Sequence, residues 1–87
     1  MKSLLDILTK EKELVEKLNR QNDALHIFEE QLERVRNIDI DCKLKEDDIN
    51  RYEILIEKYE YTIREINRDL NEVRLEIGKY FKELLRV

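Results

Sequence analysis

The second half of the chain carries one pattern without a miss: Ile49, Tyr52, Ile56, Tyr59, Ile63, Ile66, Leu70, Val73, Ile77, Tyr80, Leu84 and Val87 step alternately by 3 and 4. On a straight helix of 3.6 residues per turn such a stripe drifts around the surface. A sustained 3.5-residue repeat stays on one face only if the helix supercoils, left-handed, against a partner helix. Ile or Leu occupies the first core position of every heptad, and Tyr, Ile or Val the second. The chain therefore needs a second helix.

The first half supplies one. Leu4, Ile7, Glu11, Leu14, Leu18, Gln21, Leu25, Phe28, Leu32 and Val35 repeat the spacing, with Glu11 and Gln21 as polar exceptions. Leu8 and Val15 lie beside this seam and widen its apolar face. Acid-first pairs four apart, namely Asp6 with Lys10, Glu13 with Lys17, Glu16 with Arg20, Glu30 with Arg34 and Glu60 with Arg64, are placed to support helices by ~0.2–0.5 kcal/mol each.

Between the two runs, around Asn37 to Asp48, the periodicity changes phase. The first frame projected forward puts Asp39 and Glu46 in the core, whereas the second projected backward puts Cys42 and Lys45 there. Ile38, Asp39, Ile40 and Asp41 are middling or poor helix formers, and Asp47 or Asp48 can cap the helix that follows. The expected fold is all-α. It is one domain, a long antiparallel helical hairpin with a helix over about 3–37, a loop over about 38–47 and a helix over about 48–86. The competing fold is a single coiled-coil helix of about 85 residues and ~130 Å, since neither Gly nor Pro interrupts the middle.

The hairpin seam is expected to contain Leu14, Leu18, Leu25, Phe28 and Leu32 from the first helix. Ile56, Tyr59, Ile63, Ile66, Leu70, Val73, Ile77 and Tyr80 come from the second. Apolar residues are left over, among them Leu5 and Ile27. On the second helix Ile54, Tyr61 and Leu75 share one heptad position, and Gly78, Phe81 and Leu85 fall on flanking positions. These six are the candidate interface. An isolated two-helix hairpin is marginal at this size, so the expectation is a homodimer in which two hairpins form a four-helix bundle.

Composition narrows function by exclusion. The 87 residues are 44% charged, with one Gly, no Pro and a net charge of −4. Basic and acidic side chains are interleaved: residues 1–37 carry 7 and 8, residues 38–48 carry 2 and 5, and residues 49–87 carry 8 and 8. That leaves no basic field for phosphates, so no nucleic-acid partner is expected. Tyr52, Tyr59 and Tyr80 sit at core positions and are read as seam fillers rather than base-stacking platforms. Asp6 breaks the apolar start before a secretion signal develops, and no run approaches a membrane span of ~20 apolar residues. A cytoplasmic protein is the expectation.

Chemical sites are sparse. His26 and Asp23 share a face but supply only two ligands, so a solvated histidine is the plainer reading and no metal or cofactor is expected. Cys42 has no neighbour that clearly activates its thiol, and reads as a small apolar filler at the bend. Ser3 is the single serine, and no phosphate loop or nucleophile–base set is present. Glu11 and Gln21 are polar core positions of the kind that fix register. Gly78 weakens a helix interior by about 1 kcal/mol, which close approach of another helix would explain.

The functional expectation is thus a non-enzymatic protein–protein interaction module, self-associating and presenting helix surface to another protein. The alternative is a chaperone or inhibitor-type regulator that holds a helical client segment beside Leu75, Phe81 and Leu85. Helical hairpins of this length serve many tasks, and no motif here selects one.

Overall fold

The computed structural model describes residues 3–86 and contains two helices, α1 (Leu4–Arg36) and α2 (Lys43–Leu85), packed against each other as a hairpin. The continuous rod is thereby ruled out. At 1.5 Å per residue the helices span roughly 50 and 65 Å, and the whole molecule measures 69 × 18 × 14 Å.

Helix α1 starts where its chemistry dictates. Ser3 is extended (φ −73°, ψ 161°), its Oγ accepts from the Asp6 N–H at 3.2 Å, and its own N–H donates to Asp6 Oδ2 at 3.4 Å. This capping box satisfies two otherwise orphaned donors and puts a carboxylate at the positive end of the helix. The helix stops at Asn37, whose N–H reaches Glu33 O at 3.0 Å, and Arg34 and Arg36 occupy the last turn, where cations suit the dipole.

Residues 37–42 reverse the chain. Helix α2 then begins at Lys43, earlier than the start near 48 that the sequence suggested. Asp47 and Asp48 therefore lie inside the helix and do not cap it. The N-cap is Cys42 (φ −142°, ψ 164°), which makes no side-chain cap bond; the thiol read as a small apolar filler at the bend is exposed there. Lys43, Leu44, Lys45 and Glu46 are good helix formers. Lys45 Nζ also donates to Ile38 O at 2.7 Å, tying the first turn of α2 back to the loop. The phase change in the heptads marks a register jump, not the helix end.

The antiparallel register is fixed by contacts along the rod. Arg36 Nη2 meets Glu53 Oε1 at 2.8 Å near the turn. The Phe28 ring lies 6.3 Å from Tyr52 and 5.3 Å from Tyr59. Arg74 Nε reaches Glu11 Oε2 at 3.2 Å towards the open end. This register sets Leu70 and Val73 level with Leu14 and Leu18. There the core is densest, with Ile66, Leu70 and Val73 only 4%, 2% and 3% exposed, and Ile7 and Leu32 also buried.

Candidate functional site

The residues assigned to the intramolecular seam are each buried or half-buried. Leu32, Ile66, Leu70 and Val73 are buried, while Leu14, Leu18, Leu25, Phe28, Ile56, Tyr59, Ile63, Ile77 and Tyr80 are half-buried. Two helices have only one face each to offer, so half-burial is the ordinary state of such a seam. Leu84 departs from the pattern at 54% exposed. Helix α1 begins at Leu4, and among the described residues the register sets no turn of α1 opposite the last turn of α2. Val87, the final member of the heptad run, lies outside the described residues.

The polar core positions find partners or water. Glu11 is half-buried and accepts the cross-helix bond from Arg74, a pairing that selects one register over a shifted one. Gln21 lies beside Leu55, Tyr59 and Thr62 at a recess open to solvent. The expected acid-first pairs along the helices are not those that close. His26 Nε2 meets Glu30 Oε1 at 3.0 Å instead, and Arg68 meets Glu65 at 2.6 Å and Asp69 at 3.7 Å. Exposed side chains of this kind settle among several near-equal partners, and each pair contributes little. His26 is thus a solvated histidine paired with a glutamate, and Asp23 is not its partner. Among the described residues no group of three or more His, Cys, Asp or Glu gathers as a metal-binding set.

The candidate interface residues are exposed: Ile54 55%, Tyr61 59%, Leu75 66%, Phe81 47% and Leu85 86%. They do not form one stripe. Ile54 and Tyr61 line a shallow recess with Glu57, Lys58 and Arg64 on the outer face of α2. Arg68, held by two carboxylates, then interrupts, and Tyr61 and Leu75 are ~21 Å apart along the axis. Leu75, Gly78, Phe81 and Leu85 form a second group near the open end. A Cβ added at Gly78 would meet nothing within 4 Å, so no packing within the chain accounts for this glycine.

Sequence reasoning missed how far that second group extends. Leu5 and Leu8 of α1 are 73% and 39% exposed, and Leu84 joins them from α2. Their heptad positions were legible, but their assembly into one patch needs the register between helices. A smaller apolar group, Ile38, Ile40 and Leu44, is exposed at the turn. No helix among the described residues is long and apolar enough to cross a membrane.

Compared with known proteins, the chain matches no family model, no curated protein and no solved structure at a significant level.

Proposed function

We propose that the protein is a non-catalytic, coiled-coil interaction module of the cytoplasm: a small adaptor or structural piece that pairs with itself as hairpins and presents helix surface to another protein. One observation carries this reading. The accessible surface is 7204 Å², whereas a compact monomer of this mass exposes about 5,500 Å². Off the seam, Leu5, Ile27, Ile54, Tyr61, Leu75, Phe81 and Leu85 are 47–86% exposed. Clusters of exposed apolar side chains mark association sites, and a two-helix hairpin gains its missing second layer by pairing. Light scattering at micromolar concentration tests it. A mass of twice 10.7 kDa is expected; a monomer at all concentrations counts against self-association.

A second reading draws on the exposure of Leu84 and Leu85 at 54% and 86%, where α2 outlasts α1. A chaperone or inhibitor would hold an amphipathic client helix there. That reading expects weak hydrogen-exchange protection over residues 75–86 relative to residues 56–70 in the free protein. Equal protection of the two segments argues against it.

A further inference from the structure

The Arg36–Glu53 bond identifies which edges of the two helices adjoin. Both residues occupy the heptad position just after the second core position. Moving 28 residues along each helix in opposite directions leads from Arg36 to Leu8 and from Glu53 to Phe81. Leu8 and Phe81 therefore stand in the same cross-helix relation at the other end of the rod. Between them the edge passes through Glu29 with Glu60, Asn22 with Asn67 and Val15 with Arg74. The edge is charged at the turn, polar in the middle and apolar at the open end. The opposite edge at that end is charged, with Glu76, Lys79 and Glu83 around Ile7 and Tyr80.

Resting on the self-association reading, we infer that a second copy of this chain docks on the apolar open-end edge, the two α2 helices crossing antiparallel at Gly78. Two quantities support a second copy. From their fractional exposures, Leu5, Leu8, Leu75, Phe81, Leu84 and Leu85 present on the order of 650 Å², near the ~800 Å² that each partner of a standard interface contributes. Ile54 with Tyr61, or the turn group, presents well under half of that ~800 Å². The second support is self-complementarity, which a two-fold interface demands. With Gly78 on the axis, Leu75 of one copy lies level with Phe81 of the other, and Asn71 with Leu85. A glycine flanked by bulky apolar residues three positions to either side lets two backbones approach while the larger side chains interlock. Arg74 comes level with Lys82 of the second copy, but its charge is already met by Glu11 in its own chain. The pairing confines the four-helix contact to the open ends, giving a particle about 110 Å long, against about 70 Å for hairpins aligned side by side.

Sedimentation equilibrium on the wild type, Phe81→Lys, Leu85→Lys and Ile54→Lys tests the assignment, with circular dichroism as the folding control. Gly78→Cys in a Cys42→Ser background adds a positional test. The wild type is expected to dimerise. Phe81→Lys and Leu85→Lys should weaken dimerisation at least about 30-fold, the range of a hot-spot residue. Ile54→Lys should leave it unchanged, and Gly78→Cys should cross-link two copies under mild oxidation, since helices crossing at that point bring the thiols within disulfide reach. A wild-type dimer that survives Phe81→Lys and Leu85→Lys, with no cross-link at position 78, overturns this face while leaving self-association standing. A monomeric wild type overturns both. A monomer that binds an amphipathic helical peptide through Phe81 assigns the patch to a client instead of a second copy.

Discussion

Replacing Leu70 by Ala removes the most deeply buried side chain of the seam, 2% exposed in the densest part of the core. Full burial of a leucine is worth about 1.5–3 kcal/mol in transfer terms, and an unfilled cavity adds a further cost. A two-helix seam is open along both edges, so its neighbours relax into the gap more readily than in a closed core. The expected loss is therefore near the low end of the Leu→Ala range, about 2–3 kcal/mol. For a small domain with a urea dependence of about 1.5 kcal/mol/M, that moves the unfolding midpoint down by roughly 1.3–2 M. Ile54→Ala on the same helix is the control. Ile54 is 55% exposed, and its replacement by a better helix former should change stability by no more than about 0.5 kcal/mol. Urea titration of both variants, followed by far-ultraviolet circular dichroism at one protein concentration, measures the difference. If Ile54→Ala costs as much as Leu70→Ala, the assignment of inner and outer faces is wrong.

Glu11→Leu should raise stability by about 1 kcal/mol, because a partly buried carboxylate at a core position gives way to an apolar filler and the lost ion pair with Arg74 is a surface one. Thermal unfolding should show an increase of roughly 4–8 °C; a decrease would mean that the pair holds the register at greater strength than its exposure suggests. Ser3→Ala removes the capping box and should cost about 1 kcal/mol, read as faster hydrogen exchange confined to the first turns of α1. Cys42→Asp supplies the side-chain cap that α2 lacks and should gain about 0.5–1 kcal/mol, seen as a higher melting temperature. The native Cys42 thiol, being exposed, should react with a thiol reagent in the folded protein without denaturant.

The seam was legible because its signal is redundant: twelve apolar positions in one frame leave one face of α2 to bury, and the burial of Ile66, Leu70 and Val73 follows from that frame alone. The end of the loop was less legible. Lys45 and Glu46 fall at core positions of one frame or the other but are charged, so they signal no apolar seam; the local propensity of Lys43 to Glu46 is nevertheless helical, and propensity decides where packing does not. Leu84 kept its heptad position but is 54% exposed, since the start of α1 at Leu4, set by the Ser3 cap, is what ends the helix-on-helix seam. Phe81 and Leu8 are separated by most of the chain and belong to no common pattern, so only the cross-helix register unites them. The residues of the outer surface were thus visible one by one, while their grouping was not.

The central claim, that the chain turns back within residues 37–42 and lays α1 along α2, has a direct measure in the distance between spin labels at positions 13 and 72. Both sites are exposed and stand level in the register set by Glu11 with Arg74. Introduced as Glu13→Cys and Glu72→Cys in a Cys42→Ser background, and diluted with unlabelled protein to suppress distances between copies, the labels should lie within about 30 Å of each other, the helix axes being ~10 Å apart. A continuous rod would separate them by about 88 Å, and a distance distribution centred there would contradict the hairpin.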